Sequence, residues 1–127
     1  MQIYEQGASE EEILRQMKYL IEPRSIAVVG ASDQISKVGG TITHNLITSE
    51  YPGKIFLVNP KKETIYGRRA YHSLLEIEEA VDLVEIVVPA KLVPGVLEEA
   101  GQRGAKGAVI ISSGFGEVGN YDLQETV

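Results

Sequence analysis

The chain has 127 residues, 43% hydrophobic and 24% charged, with a formal net charge of −6 at neutral pH. That length suffices for one domain with a single core, and the absence of cysteine excludes a disulfide framework, a thiol nucleophile and a thiolate metal site. The acidic balance opposes a nucleic-acid footprint. No apolar run approaches the ~18 residues of a membrane helix, and the acidic start MQIYEQGASEEE is not a signal peptide, so a cytoplasmic domain is expected.

In chain order, Ser9-x-x-Glu12 forms a capping box ahead of Ile13, Leu14, Met17, Leu20 and Ile21. This spacing predicts an amphipathic helix that stops before Pro23, giving an N-terminal extension over 1–22 and a core over 23–119. Four apolar runs rich in β-branched residues follow: Ser25–Val29, Lys54–Val58, Leu83–Val88 and Gly107–Ile111. They are nearly continuous rather than alternating, as expected of strands covered on both faces. After the first run a polar loop leads to Gly39-Gly40 and the helix-compatible stretch TITHNLITSE. Ser73-x-x-Glu76 predicts a short capped helix. Leu92, Val93, Val96, Leu97 and Ala100 recur at helical spacing, closed by Gly101 and Gly104. The alternation predicts an α/β fold, a Rossmann-like, doubly wound parallel sheet with right-handed crossovers. YDLQETV reads as a nascent helix, cut at Val127 before any further strand. The expectation is therefore at least four parallel strands, none after Ile111, in the N-terminal piece of a longer protein.

Ligands of an open parallel sheet sit at the carboxyl ends of its strands. Four segments converge there: Gly30–Gly40, Asn59–Lys62, Pro89–Lys91 and Ser112–Glu117. The strand, glycine-rich loop and helix of residues 26–48 would offer unpaired amides and a positive helix end to a phosphate, with the glycines admitting backbone close to a pyrophosphate. It is not a dinucleotide fingerprint, because Ser32 and Ile35 stand where glycines are needed. At the end of the second strand, where an NAD site carries Asp or Glu, the chain reads Asn59-Pro60-Lys61-Lys62. Two lysines suit an extra ribose phosphate, as in NADP or coenzyme A. Taken alone they read first as a solvated turn; beside the glycine-rich loop the balance shifts towards a ligand.

The segments PRSIAVVGAS, KVGG, KIFLVNPK, VDLVEIVVPAKLVP and GAVIISSGFGEVG, from about Pro23 to Gly119, resemble the CoA-binding domain of NDP-forming acyl-CoA synthetases. Within that superfamily the resemblance is to the α chains of the ADP-forming acetyl-CoA synthetase branch, related to the succinyl-CoA synthetase α subunit. It implies that Gly30, Ala31, Ser32, Lys37, Val38 and Gly39 line the CoA phosphates. It also implies that Pro60 with Lys61 or Lys62 meets the 3′-phosphate end. Val88, Pro89 and Ala90 would flank the nucleotide or pantetheine, and Ser113 and Gly114 would close the site. The implied ligand is coenzyme A or acyl-CoA, with no metal. The implied partners are downstream ligase and ATP-grasp domains, or a subunit carrying them; self-association is left open.

Two positions depart from the pattern. Gly116 stands where that branch commonly has lysine, and Glu85 interrupts the third apolar run, where an unpaired carboxylate would be costly. His44 and His72 have no Ser, Cys or paired carboxylate flanking them at triad or metal spacing and read as structural. Glu10 to Glu12 read as a solvated helix start, and Tyr51, Tyr66 and Tyr71 as packing at the core's edge. No residue stands out as catalytic, so the chain would hold CoA for thioester formation completed elsewhere, as part of an acetate–CoA ligase (ADP-forming). Two alternatives remain: a regulatory or stand-alone CoA-binding module, such as one fused to a protein acetyltransferase, and an NADP-binding Rossmann module.

Overall fold

A computed structural model describes residues 22–111, together with the backbone of Ser112, Glu117 and Val118. The expected N-terminal helix, Ser113, Gly114, Gly116 and the end of the chain lie outside the described residues.

All four apolar runs are strands: β1 (Ser25–Val29), β2 (Lys54–Val58), β5 (Leu83–Ile86) and β6 (Gly107–Ser112). Between β2 and β5 lies a hairpin of β3 (Thr64–Ile65) and β4 (Arg68–Tyr71). Its turn needs positive φ at both central residues, Tyr66 (51°) and Gly67 (74°). The sheet order is β3-β4-β2-β1-β5-β6-β7, where β7 is Glu117–Val118. β1 pairs in parallel with β2 and β5, β5 with β6, and β2 with β4; β3 and β7 are antiparallel edges.

The expectation of no strand after Ile111 is corrected. Ile111 and Ser112 pair with Val118 and Glu117, so the chain doubles back and covers the edge of β6. Two-residue arms leave too little alternation for a pattern to be read.

From β1 the chain winds outward through α1 (Val38–Thr48) to β2, and from β5 the other way through α2 (Val93–Gln102) to β6. The helices therefore take opposite faces. Ile26, Val28, Leu57 and Leu83 share one core layer with Ile42, Leu46 and Ile47 of α1. Ala27, Val29, Phe56, Val84, Ile86 and Ile110 share the other with Val93, Val96, Leu97 and Ala100. Both sides of each central strand are thus buried, which is why the runs read as continuous. Leu92 precedes α2 in a 3₁₀ turn (Ala90–Leu92) and is half exposed rather than on the core face. Ser73 caps a single 3₁₀ turn (Leu74–Glu76), its hydroxyl accepting from the Leu75 amide, while the Glu76 carboxylate accepts from the His72 amide.

At the amino ends of the strands, the buried Asp82 carboxylate accepts from the Arg24 amide at 2.9 Å, and the Ser25 hydroxyl accepts from the Asp82 amide at 3.0 Å. The start of β1 is thereby tied to the start of β5.

Candidate functional site

The register aligns the carboxyl ends of the core strands, Val29 lying beside both Val58 and Ile86, and Ile86 beside Ile110. The winding direction reverses between β1 and β5, and such a switch point opens a crevice for ligands. The loops after β1 and β5 form its walls. The Val87 amide donates to Val29 O at 2.7 Å, and a Cβ on Gly30 would lie 1.9 Å from Val87 O. Gly30 also has a φ of +95°, a second reason that only glycine serves there.

The loop between Gly30 and α1 is built largely by its own hydrogen bonds. The Gly30 and Ala31 amides both donate to Val58 O, at 3.0 and 3.2 Å. The buried Ser32 donates its amide to Thr43 Oγ1 at 3.3 Å, and its hydroxyl accepts from the Gln34 amide at 3.0 Å. Thr43 is fully buried in α1 and donates its hydroxyl to Gly39 O at 2.7 Å. These bonds spend the amides of Gly30, Ala31 and Ser32 on the fold, so the three positions shape the cradle rather than donate from it.

The donors left over belong to the helix start, where Val38 is exposed and Gly39 and Gly40 are buried. Lys37 is the extended N-cap of α1 and supplies no side-chain cap, and the first in-helix bond runs from the Thr41 amide to Lys37 O. The amides of Val38, Gly39 and Gly40 have no partner within the helix. They share one positive helix end, the arrangement that accepts a phosphate. The glycine pair is explained first by the chain itself: a Cβ on Gly39 would lie 2.1 Å from Gly30 O, and one on Gly40 1.9 Å from Gln34 O.

Asn59 does what the sequence did not reveal. Its Nδ2 donates to Ala31 O at 2.8 Å, and its Oδ1 accepts from the Lys61 amide at 2.8 Å. Asn59 therefore clasps the turn after β2 to the loop after β1 and sets the direction of the Pro60–Lys62 turn. Lys37 and Lys61 are exposed and Lys62 half-buried, and among the described residues none of the three forms an ion pair. Val88 packs at the edge of the core, Pro89 is exposed, and Ala90 opens the 3₁₀ turn.

Tyr66 was read as core-edge packing but is 40% exposed, its ring tilted toward His44 at 6.1 Å and its hydroxyl 3.4 Å from Asp33 O. Tyr71 does pack at the edge, against Phe56 and beneath Arg69. His72 lies between Glu63 (3.0 Å) and Glu76 (3.7 Å) on opposite ring nitrogens, which holds the imidazole in place; among the described residues no group of His, Cys, Asp and Glu is arranged to hold a metal ion.

A doubly wound parallel sheet with an uncapped helix start at its switch point defines a Rossmann-like α/β domain. Its family follows from comparison with known proteins: the chain belongs to the CoA binding domain family, whose model matches residues 24–125. It is 48% identical over 112 residues to the ADP-forming acetate–CoA ligase of Methanocaldococcus jannaschii, covering 88% of this chain and 16% of that one. It is 52% identical over 107 residues to the α subunit of ADP-forming acetate–CoA ligase I of Pyrococcus furiosus, covering 81% of this chain and 23% of that one. Among solved structures it resembles the dinucleotide-forming acetyl-coenzyme A synthetase 1 of Ca. Korarchaeum cryptofilum, in complex with phosphate and ADP. The TM-score is 0.76 and the identity 40%, over 86% of this chain and 24% of that one. The chain thus spans between a sixth and a quarter of the length of these relatives.

Among the described residues no helix is long and apolar enough to cross a membrane.

Proposed function

We propose that the domain holds coenzyme A or acyl-CoA across the β1/β5 crevice, as the CoA-binding part of an ADP-forming acyl-CoA synthetase. Catalysis would fall to ligase and ATP-grasp domains outside this chain. The pyrophosphate lies at the start of α1, over the amides of Val38, Gly39 and Gly40. Gly30, Ala31 and Ser32 shape the loop beneath it, and Lys37 adds charge at the rim. Pro60, Lys61 and Lys62 meet the 3′-phosphate of the adenosine end. Val88, Pro89 and Ala90 border the pantetheine arm on the β5 side, and Ser113 and Gly114, which follow β6 in the sequence, complete the proposed set. The chain positions the thiol and makes or breaks no bond itself.

One observation carries this reading: an uncapped helix start and three lysines that form no ion pair among the described residues lie at the carboxyl end of one sheet, joined there by the Asn59 clasp. A phosphate-rich ligand with a phosphorylated ribose would use all of these charges. Calorimetric titration tests it. CoA and acetyl-CoA should bind, with NAD, NADH and NADP far weaker; NADP binding as tight as CoA refutes the assignment. Replacing Lys61 and Lys62 together by Ala should weaken CoA by about tenfold, the loss of a charge-assisted contact of roughly 1.5 kcal/mol. Dephospho-CoA, lacking that phosphate, should bind the double variant and the parent alike. A double variant with undiminished preference for CoA makes the lysines a solvated turn.

A further inference from the structure

At the amino end of the sheet, opposite the ligand crevice, the structure has a second concavity. It is a groove of about 690 Å³, walled mainly by Pro23, Ile26, Tyr51, Pro52 and Leu83. Ile26 and Leu83 belong to the α1 side of the sheet. Among the described residues α1 alone is a helix on that side, and it joins β1 to β2. Among the described residues no helix covers the half of that face formed by β5 and β6, whereas α2 packs on the opposite face. The groove's one phenol is already committed, the Tyr51 hydroxyl donating to Pro23 O at 2.6 Å. Further along β5, outside the groove, Glu85 shares the face of Leu83. A nucleotide would find few polar partners in the groove, and it lies at the wrong end of a parallel sheet for a ligand.

We propose that this groove is the seat of the chain's own residues 9–21, docked as an amphipathic helix that completes the α1 side over β5 and β6. Three facts support this occupant over a second copy or a foreign partner. The segment's apolar residues, Ile13, Leu14, Met17, Leu20 and Ile21, fall on one helical stripe, as a helix with one face to bury requires. The segment ends at the groove itself, since Glu22 and Pro23 both line it. Pro23 disfavours helical backbone at Glu22, and β1 begins at Ser25, so only a short link separates the end of the segment from the sheet. A tether this short makes the segment's local concentration far higher than that of any separate molecule.

The chain contains no cysteine, so engineered pairs report proximity without background. Pro52, exposed on the groove wall, is replaced by Cys in the full chain and combined in turn with Met17→Cys, Leu20→Cys or Arg15→Cys. Met17 and Leu20 lie on the stripe; Arg15 is about 160° from Met17 around the helix. Under mild oxidation at low protein concentration, at least one stripe pair should form an intramolecular disulfide, while the Arg15 pair stays reduced. Equal cross-linking from all three positions, none from either stripe position, or only intermolecular disulfides would overturn the proposal. All three proteins share the Pro52→Cys change, so a fold weakened at the groove would affect them equally.

Discussion

The glycines at the start of α1 admit two readings, ligand approach or self-packing, and one pair of substitutions separates them. An Ala side chain at 39 places its Cβ 2.1 Å from Gly30 O, where real contacts essentially never fall below 3.0 Å. Loop or helix must therefore move by about 1 Å. Both are backbone, and Gly30 is itself held to Val58 and crowded by Val87. Overpacking of this kind costs roughly 1–3 kcal/mol. Ala gains at most about 1 kcal/mol of helix propensity in return, and less in a first turn. The net should be a loss of about 1–2 kcal/mol, or roughly 3–10 °C in melting temperature for a domain of this size. In α2 the same change meets open space: among the described residues nothing packs within 4 Å of a Cβ at Gly95 or Gly101. There Gly→Ala should stabilise by up to about 1 kcal/mol. Differential scanning calorimetry of Gly39→Ala and Gly101→Ala, with CoA titrations of each, is the assay. Expected are a lower melting temperature and weaker binding for Gly39→Ala, and a raised melting temperature with unchanged binding for Gly101→Ala. If Gly39→Ala melts like the parent and loses only binding, the steric argument fails and the glycine serves the ligand directly.

Two further perturbations follow from the packing. Burial holds the Glu85 carboxyl above the ordinary carboxylate range, since it sits mid-strand between Val28 and Val109. The folded state therefore binds its proton more tightly than the unfolded state, and the stability this lends is full below the ordinary carboxylate pKa and lost as pH rises through the raised one. Glu85→Gln should gain on the parent in melting temperature as pH rises from mildly acid to neutral, and a gap that narrows would refute this. Thr43→Val keeps the shape of a buried residue but removes the acceptor for the Ser32 amide. It should cost about 1–3 kcal/mol, read as a lower urea midpoint at unchanged m, with Thr43→Ser recovering part of it.

What the sequence disclosed, and what it withheld, follows from the range of each interaction. The four core strands were legible because burial on both faces leaves an uninterrupted apolar run, and α2 because Val93, Val96, Leu97 and Ala100 repeat at helical spacing. The β3–β4 hairpin and β7 were not, because arms of two to four residues carry no period, although Tyr66-Gly67 is a turn signal in retrospect. That Gly30 and Asn59 follow the ends of parallel strands could be read from topology alone. Their individual tasks were hidden, because each depends on a partner far along the chain. Asn59 looks like a missing ribose acid until its amide is seen on Ala31 O, 28 positions away. Gly39 looks like a gap left for a ligand until Gly30 O is found in it. The same atoms serve both purposes: the bonds that spend the amides of Gly30, Ala31 and Ser32 hold the loop so that those of Val38, Gly39 and Gly40 stay outside the loop's own network. An anion site preorganised in this way need not reorder its backbone when the ligand arrives, so binding energy is not lost to ordering. The proposed site should therefore be most fragile at the residues that hold its loops in place, with Thr43 and Asn59 foremost.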